Sequence, residues 1–383
     1  MLGHPLVTDT FDVLIVGAGI IGAACAAECA RGGLKVLVLE RESVGGGTTA
    51  SGMGHLVVMD DSDAQFALTS YSRGLWNQLA PSLPPDVEYD SCGTLWVAAD
   101  ESEMVVLQQK EQSYRSHGVK VERLDGPALR EAEPNLRRDL VGGLRVVEDA
   151  VIYPPCAARF LLDDAKSFDL EVRTGCSVRE IADDGAVLLD DGTRICSGIC
   201  VNAAGCDSPS LTPGLPVRKR KGHLVITDRY PGYVKHQVIE LGYLKSAHTV
   251  STESVAFNIQ PRKTGQMLIG SSRQFEADNT AVDHAVLAKM LRRAAHFLPT
   301  IGNLSAIRVW TGHRAATPDK LPLIGPGLTS DRLWLATGHE GLGITTSLGT
   351  GRLLADMILH RASDIPVEPY LPARLTAGDP QHG

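Results

Sequence analysis

The chain has 383 residues, 43% of them hydrophobic and 21% charged, which suits two globular domains with ample cores and argues against disorder. Its formal net charge of -8 argues against nucleic acid or an anionic membrane as the main partner, because phosphate binding needs a basic face. No apolar run approaches the eighteen or so residues of a membrane span, and a strand starts close to the N-terminus, so we expect neither a transmembrane segment nor a removable signal, and a cytoplasmic protein.

The first element is Asp12-Val-Leu-Ile-Val-Gly-Ala-Gly-Ile-Ile-Gly22. An apolar run followed by Gly17, Gly19 and Gly22, with Ile20 and Ile21 between them, reads as strand, tight turn and helix. Backbone N–H groups at the helix start are then free for a pyrophosphate. The helix repeats small residues (Ala23, Ala24, Ala26, Ala27, Ala30) and ends near Gly32-Gly33. A second strand, Lys35 to Leu39, leads to Glu40, about twenty residues beyond the glycines, where a carboxylate can accept hydrogen bonds from ribose hydroxyls. Together these parts describe a dinucleotide site. Glu40 disfavours a 2′-phosphate, and the choice between FAD and a nicotinamide nucleotide stays open at this point.

Arg41 to Leu56 is too rich in Gly, Ser and Thr for a regular element and reads as a loop that permits close approach. Asp63 to Leu79 has helical spacing and stops at the prolines 81–85. Cys92–Ala98 reads as a strand, Glu101–His117 as an amphipathic helix, Asp125 as the cap of a short helix, and Leu140–Val147 as a strand. Val172–Val178, a hairpin-like Val187–Thr193 with an Asp-Gly turn, and Ile199–Ser208 follow. The strand candidates after Pro213 are Gly222–Thr227, Gln237–Tyr243, Val255–Gln260, Gln266–Gly270 and Ala306–Trp310, with an amphipathic helix over Asp283–Leu298. The dense basic run Arg218-Lys-Arg-Lys221 reads as a solvated loop; the alternative is a receptor for a phosphate, such as that of a second flavin at a subunit contact. The eight cysteines, among them Cys25, Cys29, Cys196, Cys200 and Cys206, form no C-x-x-C pair and read as buried reduced thiols, so no metal is expected. Leu333–Gly351 is strand, glycine-rich turn and helix.

Ala26 stands four residues after Gly22 and Gly33 seven after that, a pattern associated with FAD enzymes of the glutathione reductase type. Trp310 to Gly325 carries R-x-x-T-x-D-x-x-P-x-I-G. On these motifs, and over nearly its whole length, the chain resembles the FAD-dependent D-amino-acid oxidase and glycine/sarcosine oxidase superfamily. The resemblance implies an α/β fold: a Rossmann-like FAD-binding domain from residues 1–85, 146–215 and 318–383, and an α+β, mixed-sheet substrate domain from 86–145 and 216–317. It places Arg41, Gly47, Thr48, Thr49, Ser51 and Gly52 along the FAD, Met53 and Gly54 near the isoalloxazine, Val178 against the adenine, and Ala204-Gly205 over the adenosine half. Backbone N–H groups of Gly338, Gly341, Leu342, Gly343 and Ile344 would stabilise charge on the reduced ring. His339 and Glu340 would border the substrate. Some relatives attach FAD covalently to a histidine near His55, but His55 falls several residues late, so non-covalent FAD is expected.

The same resemblance makes Arg314 the clamp for a substrate carboxylate, since a guanidinium offers a rigid fork of donors that lysine cannot reproduce. A substrate-holding tyrosine of glycine oxidase is replaced by Asn258, and an oxygen-activating lysine of sarcosine oxidase by Met267-Leu268. These departures favour a dehydrogenase, closest to the catalytic subunits of bacterial D-hydroxyproline dehydrogenases and of hydrogen cyanide synthase and opine-oxidising enzymes. The expected reaction is hydride transfer from an amino acid Cα to flavin N5, converting cis-4-hydroxy-D-proline to a pyrroline carboxylate. Small electron-transfer partners carrying an iron–sulfur centre or FMN would complete a hetero-oligomer, at most peripheral to the inner membrane. The alternatives are a glycine, sarcosine or D-amino-acid oxidase that uses O2, an opine or hydrogen cyanide synthase-type subunit, or a flavin-binding assembly or RNA-modification protein.

Overall fold

In the computed structural model, which describes residues 6–182, 184–242, 253–275 and 277–375, the first apolar run lies at the centre of a sheet. Leu6–Val16 pairs in parallel with Val36–Glu40 on one side and Arg194–Asn202 on the other. The sheet continues to Leu170–Thr174 beyond Val36–Glu40, and to Leu333–Thr337 and then Leu323–Pro326 beyond Arg194–Asn202. Only Leu323–Pro326 runs antiparallel along this path. Val13, Leu14 and Ile15 are fully buried, as a continuous apolar run requires of a parallel strand covered on both faces. The helices Ile20–Arg31 and Gly343–Ile358 cross closely because each offers small residues to the other: a Cβ on Gly351 would stand 2.6 Å from the Ala24 carbonyl oxygen. Cys25 and Cys29 of the first of these helices are buried free thiols, and burial pushes the Cys29 thiol up to about 12.

The second sheet takes strands from two separated parts of the chain. Its order is Ala306–Ala316, Arg218–Thr227, Met267–Gln274, Glu253–Pro261, Gln237–Glu240, Thr94–Ala98, Gly142–Val146 and Val121–Asp125. It is mixed, since Gln237–Glu240 and Thr94–Ala98 pair in parallel within an otherwise antiparallel ladder. The helix His284–Phe297 covers one face, capped by the Asp283 carboxylate and anchored by Phe297 stacked on Phe257 at 4.8 Å. This is the expected α/β fold with a mixed-sheet partner.

Several local expectations change. The Gly-rich segment after Glu40 contains a one-turn helix, Gly47–Ser51, and a short strand, His55–Leu56, paired with Ala150–Val151. Buried backbone must find hydrogen bonds, and these two elements supply them. The basic run is not a solvated loop but the start of the strand Arg218–Thr227. Arg220 is ion-paired with Glu340 and stacks over Phe275, and the buried Lys221 Nζ donates to Asn279 Oδ1 at 3.0 Å. The Arg220 charge is therefore already paired within the chain, while Lys221 is held by a neutral amide. The strand predicted over Ala306–Trp310 runs on to Ala316, so Arg314 sits on a strand, opposite Arg220. The strand predicted to reach Tyr243 ends at Glu240, and Tyr243 lies outside the described residues.

Candidate active site

One cavity of about 720 Å³ is lined by residues of both large sheets. The glycine turn forms the deep end. Gly17 has φ 105°, a conformation open to glycine, and a Cβ there would lie 2.8 Å from the Ala203 carbonyl oxygen. A Cβ on Gly22 would lie 1.9 Å from the Gly17 carbonyl oxygen, so the helix can start this close to the strand only with glycine. Gly22 itself stands behind the cavity wall; Gly17, Gly19, Ile20 and Ile21 line it.

Not all of the turn's amides are free. Ile20 N–H donates to Thr49 Oγ1 at 3.0 Å, and Ala18 N–H donates to Glu40 Oε2 at 2.8 Å. Glu40 Oε1 accepts from Glu42 N–H at 2.9 Å, so both carboxylate oxygens are oriented by backbone N–H groups. Arg41 stands beside it, its Nη1 2.9 Å from Asp207, with Lys219 Nζ 3.6 Å from the same carboxylate. Glu40→Gln should weaken FAD binding about tenfold by removing the charged acceptor, a change checked by titrating FAD into the flavin-free protein.

Gly47, Thr48, Thr49, Ser51, Gly52, Met53 and Gly54 also line the cavity, as do Val178, Ala204 and Gly205. Thr48 Oγ1 donates to the His313 carbonyl at 2.9 Å, which ties this segment to the second sheet. The far end carries Asn258, Arg314, His55 and the turn Gly338 to Ile344. Arg314 Nη1 donates to the Ser272 carbonyl at 3.1 Å, and its guanidinium lies over Gly222, where a Cβ would approach to 2.4 Å. A glycine inside a strand marks a close approach, so Gly222 is a signal that the sequence reading passed over. Gln260 was also missed: it is buried, and its Nε2 donates to the Met53 carbonyl at 2.7 Å.

Leu342 is displaced from the cavity, and His339 and Glu340 line it while holding partners of their own. Leu342 does not line the cavity; it flanks the N-terminus of the last helix and packs against the apolar cluster of Val57 and Trp96. His339 lines the wall but its Nε2 is bonded to Thr350 Oγ1 at 3.0 Å, and burial lowers its pKa to about 3, so the imidazole is a neutral structural link. Glu340, at φ 47°, faces Arg220 as an ion-pair partner while its backbone N–H donates to the Ala315 carbonyl at 2.8 Å.

The residues present fit FAD. The cradle at Gly17 and Gly22 is one that a Cβ would fill, a carboxylate held by backbone N–H groups stands beside it, and buried polar atoms of His55 and Asn258 lack partners. The profile of the DAO family, described as FAD dependent oxidoreductase, matches residues 12–357. Hydrogen cyanide synthase subunit HcnC of Pseudomonas aeruginosa is 26% identical, over 95% of this chain and 96% of its own. Glycine oxidase of the same organism is 28% identical over 94% and 98%. The crystal structure of glycine oxidase from Geobacillus kaustophilus superposes with a TM-score of 0.85 at 26% identity, covering 95% of this chain and 98% of that one.

Proposed function

For a chain that belongs to the DAO family of FAD-dependent oxidoreductases, we propose an amino-acid dehydrogenase that oxidises the Cα–N bond of a small cyclic or D-configured secondary amine, such as cis-4-hydroxy-D-proline. The observation that carries this reading is the presence of Arg314 and the Gly17–Gly22 turn in and around one continuous cavity. Bound FAD supplies a two-electron acceptor for the hydride of Cα. The protein's part is positioning: the Arg314 fork holds the carboxylate, and Met53 and Leu224 give the site an apolar wall that excludes water. Asn258, buried and with Oδ1 unpartnered, supports a hydroxylated or N–H-bearing ring.

The electron acceptor follows from a second set of residues. Met267 and Leu268 are both buried in apolar clusters, and Lys219, beside Asp207 at the Glu40 end, is the only lysine lining the cavity among the described residues. That supports a partner protein rather than O2 as acceptor, and the likeness to HcnC, itself named as a subunit, supports a small partner carrying an iron–sulfur centre or a second flavin. The full-length likeness to glycine oxidase favours the competing oxidase reading.

Anaerobic titration with D- and L-amino acids separates them. We expect cyclic D-amino acids to bleach the flavin, with slow recovery in air and fast recovery with an artificial dye. Bleaching by glycine with immediate recovery and peroxide would establish the oxidase instead, and no bleaching by any amino acid would overturn both.

A further inference from the structure

His55 stands at the substrate end of the cavity with a role that the fold alone does not explain. The residue is half-buried, and of its two ring nitrogens Nε2 is buried without a partner. The Gln260 amide acts on it by opposing the effect of burial on its pKa. That amide is fixed in direction, because its Nε2 must face the Met53 carbonyl to which it donates, leaving Oε1 buried and without a partner of its own. A carbonyl oxygen can only accept, so a ring that turns an Nε2–H towards Gln260 Oε1 keeps its lone pair on Nδ1. Burial, with the nearby Arg314 cation adding to it, lowers the His55 pKa to about 4, so the ring is neutral near pH 7.

Across the same end, the Asn258 side chain converges with Met53 and Leu224 on Gly270: a Cβ on Gly270 would lie 2.6 Å from Asn258 Oδ1 and 3.0 Å from both Met53 Sδ and Leu224 Cδ2. The substrate end therefore combines one fork of donors, Arg314, with acceptors on His55 and Asn258 set in an apolar wall.

We propose that His55, oriented by Gln260, is a specificity-determining residue whose Nδ1 accepts a hydrogen bond from the N–H of the substrate nitrogen. This rests on the reading of the cavity as an amino-acid site with Arg314 on the carboxylate. It deepens that reading by dividing the substrate between two subsites: carboxylate on Arg314, nitrogen on His55. A donor is required at the ring position next to the carboxylate-bearing carbon; an ether oxygen there would face a lone pair.

The test uses the FAD-loaded protein and two planar carboxylates of the same shape, pyrrole-2-carboxylate, which has the N–H, and 2-furoate, which has an oxygen in its place. Binding is followed by the perturbation of the flavin absorbance, with no turnover involved. Wild type should bind pyrrole-2-carboxylate about tenfold more tightly than 2-furoate, the ratio one hydrogen bond supports. His55→Leu should bring the ratio close to one while leaving 2-furoate affinity within about threefold, and His55→Gln, which keeps an acceptor, should restore part of it. Gln260→Leu, which frees the tautomer, should lower the ratio without touching the cavity. A ratio near one in wild type, or a ratio unchanged in both His55→Leu and Gln260→Leu, overturns the assignment and places His55 against the cofactor instead. Failure of both carboxylates to bind wild type would instead sink the amino-acid reading on which it rests.

Discussion

Gly22→Ala is expected to yield a protein that purifies without FAD and lacks the visible flavin band. The added Cβ would sit 1.9 Å from the Gly17 carbonyl oxygen, well inside any real contact, and that atom is backbone. Relief requires the start of the helix Ile20–Arg31 to move off the strand Leu6–Val16. The helix cannot slide freely, because its other side is pressed against Gly351 and its Ala23, Ala24, Ala26 and Ala27 are fully buried. Overpacking of this kind costs about 1–3 kcal/mol in stability. The larger effect falls on the cofactor: the Gly17–Gly22 turn would lose the geometry that brings its backbone to a pyrophosphate, and we expect FAD affinity to drop by at least about a hundredfold. Gly74→Ala is the control, in the middle of a helix with nothing within 4 Å of the new methyl group, and should keep its FAD. A yellow, fully loaded Gly22→Ala protein would remove the turn from the cofactor site.

The second large effect is expected at Arg314. Arg314→Ala should raise the KM for the amino-acid substrate, and the Kd of a carboxylate ligand, by about 2–4 kcal/mol, roughly 30- to 1,000-fold, with a smaller change in kcat. Arg314→Lys should recover little of this, because an ammonium cannot present two parallel donors to a carboxylate. The structure adds an independent route to the same test. The guanidinium lies on Gly222, which a Cβ would bring within 2.4 Å of Nη1, so Gly222→Ala should displace the arginine without removing it and weaken carboxylate binding in the same direction. Unchanged kinetics in Arg314→Ala would take it out of the substrate site.

The local elements were legible where a short stretch of chain decides its own conformation. The Gly17–Gly22 turn, the capped helices at Asp125 and Asp283, and the helix Asp63–Leu79 all appear at or within a residue or two of where periodicity and cap residues put them. The reading failed where a partner distant in sequence changes the meaning of a residue. A run of four cations is a solvated surface by composition, yet Glu340, 120 positions away from Arg220, converts its middle into a buried ion pair. The resemblance sets His339 at the substrate's border, and what it does not give is that Thr350, on the next helix, holds its Nε2. Gln260 drew no attention at all, since an amide in a strand has no signature until Met53 and His55 stand beside it.

By itself the sequence determined that this protein binds a dinucleotide and, through the Arg314 signature, which family it resembles, because glycine spacing and strand–helix periodicity are properties of adjacent residues and act over a few ångströms. Tertiary structure alone decided which side chains share one cavity with the glycine turn. Arg314, Asn258 and His55 come from three separate strands, and the pairing of Ala306–Ala316 with Arg218–Thr227, and of Glu253–Pro261 with Met267–Gln274, sets where they meet. Long-range pairing of that kind is fixed by the burial of whole sheet faces, a sum over many residues that no single motif records.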